Sequence, residues 1–173
     1  GEYLKDTVTF QDVSLEGNIR GRGLTELSAD FSLTGSVSSL GIQGYNYKNI
    51  LTDAHFSKQF FQGLLKIDDP NLQFDATGSI DFRKGKNLVN VTAKLDTAFL
   101  QPLIHSKKNI FLQSYIDIDT RGLKLDSIFG DIILRETTVQ YDDESLAFDS
   151  VHVTSAADHD KRKLTLRSSL LDV

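Results

Sequence analysis

The sequence predicts an all-β chain of antiparallel strands that carry their apolar side chains on one side only, and three observations predict it. Leu72, Phe74, Ala76, Gly78, Ile80 and Phe82 alternate with Gln73, Asp75, Thr77, Ser79 and Asp81, and a period of two puts each set on its own face of a strand. Just before this run stands Asp68-Asp69-Pro70-Asn71, where proline presets φ for a turn and Asx side chains can bond the local backbone. With Phe61, Gly63, Leu65 and Ile67 upstream, Phe61–Phe82 therefore reads as a hairpin. No stretch sustains helical periodicity beyond about two turns, whereas about a dozen short alternating segments can be counted.

Taken in order, Glu2–Arg22 is the least patterned part, with short strands expected at Val8/Phe10 and Val13/Leu15 and breaks at Gly17, Gly21 and Gly23. Leu27, Ala29, Phe31 and Leu33 then alternate with polar residues until Gly35, and Val37–Gly44 bridges to Tyr45 and Tyr47. Ile50, Thr52, Ala54 and Phe56 form the next strand, joined to the hairpin through Ser57-Lys58-Gln59. After Phe82 comes a polar loop, Arg83–Asn87, and a strand with Val89, Val91, Ala93 and Leu95 inward. Thr97–Leu103 changes period and reads as one helical turn, kept short by Pro102, and His105–Asn109 is a loop. The second half restarts with Leu112, Ser114, Ile116 and Ile118, breaks at Gly122, and continues through Leu123–Ile128 and Ile132/Leu134. Tyr141–Ser145 is an acidic turn, and Leu146/Phe148 with Val151/Val153 need a bulge between them to share a face. Ala156–Lys163 reads as a charged loop before a last strand, Leu164–Leu170. The expected organisation is lead-in strands over 1–23, a first β-meander over 24–96, a helical turn and loop over 97–109, and a second meander over 110–173.

Composition narrows the function. The 173 residues carry a net charge of −5, so no basic field exists to replace phosphate counterions and nucleic acid is not an expected partner. Cysteine is absent, which removes disulfides, thiolate nucleophiles and thiolate metal sites. No run of about 18 apolar residues is present to span a membrane as a helix. The chain starts at Gly1 and has no methionine, so it is expected to be an internal piece of a longer protein. Strands cut from a longer sheet would leave unpaired edges, through which the fragment is expected to self-associate.

Catalytic patterns are short and lack context. Asp117-Ile-Asp119-Thr120 matches the DxDxT of aspartyl-phosphate phosphotransferases, but both carboxylates fall on the polar face of an alternating strand. His55, His105, His152 and His159 offer no set of three or four convergent ligands. Asp142-Asp143-Glu144 lacks calcium-loop spacing, and the glycines at 17, 21 and 23 lack a Walker lysine. A non-enzymatic protein without metal or cofactor is the expectation.

The stretch GYNYKNILTDAHFSKQFFQGLLKIDDPNLQFDATGSIDF (44–82) resembles TamB-family translocation and assembly module proteins, which are AsmA-like, and particularly those of Bacteroidetes. In these a Gly-Tyr-x-Tyr-x-Asn-Ile strand, a Phe-x-Gly strand, an Asp-Asp-Pro-Asn turn and an alternating strand follow one another. Leu125–Leu134, Tyr141 and Leu164–Ser168 resemble the strands that come next, so the likeness runs from about Leu24 to the end. The resemblance implies an elongated, curled antiparallel sheet, a β-taco or half-pipe trough with short turns. It further implies the periplasm of a Gram-negative bacterium, a parent anchored in the inner membrane, and an outer-membrane barrel of the BamA/TamA type as its partner. Phospholipid acyl chains would travel in the trough, in which case the apolar strand positions Phe31, Phe56, Phe61, Leu65, Phe74, Ile80, Val91, Ile116, Ile132 and Leu134 would line it. Two alternatives stay open: a scaffold that receives outer-membrane strands by β-augmentation, and a structural β-sandwich or solenoid with a dry core.

Overall fold

The computed structural model describes residues 10–22, 30–42, 44–122, 129–158 and 161–170. Ten strands form one antiparallel sheet: β1 (Phe10–Arg22), β2 (Asp30–Ile42), β3 (Tyr45–Ser57), β4 (Phe60–Asp69), β5 (Leu72–Asp81), β6 (Leu88–Phe99), β7 (Ile110–Arg121), β8 (Phe129–Tyr141), β9 (Glu144–Asp158) and β10 (Lys161–Leu170). Spatial order equals sequence order, and a four-residue helix, α1 (Leu100–Leu103), interrupts the meander between β6 and β7. The sheet does not close on itself, so β1 and β10 remain its edges. Among the described residues no second sheet packs against it, which removes the sandwich alternative.

Directly opposed residues of an antiparallel pair share a face, and the register therefore assembles the apolar positions into rows. One row runs Phe31, Phe56, Phe61, Ile80, Val89. The next runs Leu33, Ala54, Gly63, Gly78, Val91, Ile118, Ile132, Val153. Beyond it come Leu65, Ala76, Ala93, Ile116, Leu134, Val151, and then Val37, Ile50, Ile67, Phe74, Leu95. The opposite face carries rows such as Ser32, His55, Gln62, Ser79, Asn90, Asp119, Asp131, Thr154.

Strands this long keep one apolar face only by resetting their alternation. Inward positions stand three apart, not two, at Tyr47/Ile50, Leu95/Ala98, Leu134/Thr137 and Phe148/Val151. The extra residues coincide with register shifts in β6, β8 and β9 and with positive φ at Asn49 (52°) and Glu136 (48°). A bulge bends its strand and raises local twist. Bulges at nearly the same level in β3, β6, β8 and β9 curl the sheet into a half-pipe with the apolar face inside. The accessible surface of 12,397 Å² exceeds the about 8,500 Å² of a compact globule of this mass, as an uncovered sheet requires.

The elements run longer than the alternation suggests. β1 passes through Gly17 and Gly21, and β2 through Gly35, because a glycine weakens a strand without ending it when both neighbours supply ladder bonds. β6 extends to Phe99, so the helical turn starts at Leu100 rather than Thr97. The expected charged loop at 156–163 is largely ladder: β9 reaches Asp158 and β10 starts at Lys161. Phe82 lies beyond β5 and is exposed, so the alternation ends at Asp81. The bulge expected between Phe148 and Val151 is present, at Asp149. The segments expected at Val8, Leu27–Ala29 and Leu123–Ile128 fall outside the described residues.

Two local features generate predictions. At Gly78, opposite Gly63, an added Cβ would stand 2.2 Å from the Asn90 carbonyl oxygen and 2.7 Å from Val91 Cα. Gly78→Ala is expected to destabilise the chain by about 1–3 kcal/mol in denaturant unfolding. The β3–β4 turn holds Lys58 and Gln59 at φ 48° and 66°, a geometry that suits Asn-Gly and costs L-residues about 1–2 kcal/mol each. Replacing the pair by Asn-Gly is expected to raise stability by about 1 kcal/mol, read as a higher denaturation midpoint.

Candidate functional site: an apolar trough with a roofed end

The register brings all ten sequence-predicted trough residues onto the inner face. Phe31, Phe56, Phe61 and Ile80 sit in one row, with the Phe31 and Phe56 rings stacked at 5.3 Å. Val91 and Ile132 flank Ile118, while Ile116 and Leu134 oppose each other. Leu65 and Phe74 occupy neighbouring rows on β4 and β5. Nine of the ten are half-buried and Leu65 is 36% exposed, so water reaches a wall that a dry core would seal.

The face deepens into a pocket of about 450 Å³ at the end bearing the β2–β3, β4–β5 and β6–β7 connections. Residues of six consecutive strands wall it, among them Leu40, Ile50, Ile67, Phe74, Leu95 and Leu112, and Tyr47 is its one hydroxyl-bearing member. Of the ten predicted residues, Leu65 and Phe74 belong to this pocket. The helical turn supplies its roof. Leu100 and Leu103 of α1 point into it, and Leu103 is buried. Pro102 is tolerated because an amide in the first turn has no helical acceptor. The chain after α1 reaches back toward the β2–β3 turn, where a Cβ on Gly44 (φ 85°) would stand 3.0 Å from His105 Nε2. A side chain there would press on the His105 ring and take an unfavourable left-handed backbone.

A buried polar knot fixes this end. Asp69, 1% exposed, closes β4 on the inner face. Its carboxylate accepts from Tyr45 Oη (2.5 Å), from the Lys48 amide (3.0 Å) and from the Asn71 amide (2.8 Å). Asn71 Nδ2 in turn donates to Tyr45 Oη at 2.9 Å. Burial, and then the bond to Asp69, push the Tyr45 hydroxyl above the ordinary tyrosine range, and burial does the same to Tyr47. The knot ties the β2–β3 turn to the β4–β5 turn. Sequence reading identified the Pro-Asn turn and missed the tyrosine; the pairing of two tyrosines with Asp-Pro-Asn at a distance of about two strands is the signal that carried it. A second polar pair, Ser114 Oγ and Thr137 Oγ1 at 2.8 Å, interrupts the apolar wall and satisfies itself there.

The outer face carries the carboxylates and histidines in surface pairs. Asp117 meets the Arg135 guanidinium, and Asp119 lies opposite Asp131 and Asn90. His55 contacts Ser32 and Asp30. His152 bonds Asp131 at 2.7 Å, and Thr154 adds a bond at 2.9 Å; together these hold the Asp131 carboxyl below its usual range. Arg83 grips the Asp81 carboxylate through Nε (2.8 Å) and its terminal nitrogen (2.5 Å), and likewise lowers its pKa.

Two outcomes follow. Asp69→Ala strands the Tyr45 hydroxyl and two amides, and at about 1–3 kcal/mol for an unsatisfied buried group a loss of roughly 3 kcal/mol is expected in denaturant unfolding, against about 1 for Tyr45→Phe. Because the Asp81 pKa is depressed in the folded chain, its contribution is present above the unfolded carboxylate value of about 3.9 and vanishes as pH falls through the folded value. Thermal melts of the parent and Arg83→Met should therefore differ at pH 7, begin to approach each other below about pH 4 and converge once the pH has fallen through the depressed folded value.

Comparison of the chain with protein-family models, with curated proteins and with solved structures returned no match.

Proposed function

We propose that this chain is a non-enzymatic segment whose trough shields and conducts phospholipid acyl chains. The observation that carries the reading is a continuous apolar face, half-exposed across the sheet, that deepens into a pocket of about 450 Å³ walled almost wholly by aliphatic and aromatic side chains. Soluble monomers seldom leave such a surface uncovered, and contiguous apolar patches of this kind mark sites where an apolar partner docks. An acyl chain suits it: long, narrow, without hydrogen-bonding groups, and so compatible with a wall whose backbone is already paired in the ladder. The TamB-like sequence features support a parent protein that spans the periplasm between an inner-membrane anchor and an outer-membrane barrel, with lipid passing along repeated modules.

A second reading draws on a different observation. Among the described residues no strand pairs with the outer edge of β10, and Leu164 and Leu166 on that strand are 70% and 65% exposed, which suits a scaffold that adds outer-membrane strands by β-augmentation. The same edge supports self-association of the fragment.

Ile80→Glu distinguishes an open trough from a packed core. On an open wall the carboxylate keeps its water, so the melting temperature should fall by no more than about 2–4 °C, the equivalent of about 1 kcal/mol. Binding of a fluorescent diacyl phospholipid should weaken at least roughly tenfold. Unfolding of the variant would indicate a dry core, and a folded variant that binds lipid as before would remove Ile80 from the path.

A further inference from the structure

A second concavity, of about 600 Å³, lies on the outward face at the same end of the sheet. Its floor is one register row: Phe99 of β6 pairs with Phe111 of β7, and Phe111 with Gln140 of β8. The two rings are 5.3 Å apart and inclined at 48°, and Phe99 is 44% exposed. The primary amides of Gln101, Asn109 and Gln140 stand around them, exposed and without a side-chain hydrogen bond among the described residues. One wall is fixed, because the Asn71 amide is held by Tyr45 and the Asn71 carbonyl accepts from the Phe99 amide at 2.9 Å. Asp142 is the charged member of the lining; it accepts from Lys108 Nζ at 2.9 Å and from the Asn109 backbone N–H at 3.3 Å.

We propose that this cleft binds an uncharged saccharide, with the exposed ring of Phe99 stacked on the C–H face of a pyranose and the three free amides bonding its hydroxyls. Each primary amide offers two donors and an acceptor, which matches hydroxyls that both give and accept. The ring face supplies apolar contact area at little entropic cost. The other ligand classes suit the cleft less well. A phosphate or carboxylate would find no lysine or arginine in the lining and would meet the Asp142 carboxylate. An acyl chain would desolvate three amides without pairing them. The volume lies within the usual 300–1,000 Å³ of small-ligand sites. The proposal is independent of the acyl-chain reading, since α1 turns Leu100 and Leu103 toward the inner pocket and Gln101 and Pro102 toward this one.

The test is a titration of the ¹⁵N-labelled chain with chitotriose, maltotriose and, as a charged control, inorganic phosphate, followed through the side-chain amide resonances of Gln101, Asn109 and Gln140. Saturable shifts with at least one saccharide and none with phosphate are expected. Phe99→Ala and Gln140→Ala, both at exposed positions, should each weaken that binding roughly tenfold while the melting curve is retained. Should Phe99→Ala disturb the fold, Gln140→Ala alone decides. Resonances that neither saccharide moves, a response to phosphate equal to that for sugar, or unchanged affinity in the folded variants would each overturn the proposal.

Discussion

Opposed residues in an antiparallel ladder lie on one face, and a slip of one residue sends a whole strand's side chains to the other. The trough therefore exists only while every strand pairing holds its register, from Phe31 opposite Phe56 to Leu134 opposite Val151. Strands of ten to fifteen residues twist too much to stay flat, and the extra residues at Asn49, Asp96, Glu136 and Asp149 bend them further while resetting the alternation. Bulge and register thus act together: the first curls the sheet, and the second ensures that the curl encloses the apolar side. The knot of Asp69, Tyr45 and Asn71 pins two hairpin turns together where the curl is roofed by α1.

The energetics follow from this plan. Among the described residues each strand makes its main contacts with its chain neighbours, so stability is close to a sum of strand and nearest-neighbour terms, as in repeat proteins. Few side chains are buried: Val37, Ile50, Ala54, Ala93, Ala98 and Leu103 are the apolar ones among the described residues. Five of the six lie along the β2–β6 part of the inner face, and Leu103 reaches it from α1. Surface ion pairs such as Lys66–Asp75 and Lys94–Asp96 contribute little individually. Their role is to keep the outer face wet, so that apolar surface is concentrated inside the trough. An occupant that covers the inner face would add the burial that the chain lacks by itself.

The face assignment was legible in the sequence because a period of two survives any uncertainty about strand ends; all ten named residues needed only parity to be placed. Hairpin turns with strong chemistry, Asp-Asp-Pro-Asn and Tyr-Asp-Asp-Glu-Ser, were legible for the same local reason. Strand lengths were not. A step of three between inward residues, as from Tyr47 to Ile50 or from Leu95 to Ala98, reads as the end of one strand and the start of another. About a dozen short segments are therefore ten long ones among the described residues. Ala156–Asp158 and Lys161–Lys163 read as loop because charge masks pairing that the backbone alone provides. Long-range side-chain chemistry left the weakest trace: nothing local announces that Asp69 is buried beneath Tyr45, that α1 roofs the trough, or that Phe99 and Phe111 meet on the polar face.

The most direct measurement is photolabelling of the chain with a phosphatidylcholine that carries a diazirine in its acyl tail, followed by residue-level mass spectrometry. Adducts concentrated on inner-face residues of β3–β7, with Phe74 and Leu95 labelled and the adjacent outward Asp75 and Lys94 clean, are what the account predicts. Equal labelling of Phe74 and Asp75, or adducts confined to the outer face, would contradict it.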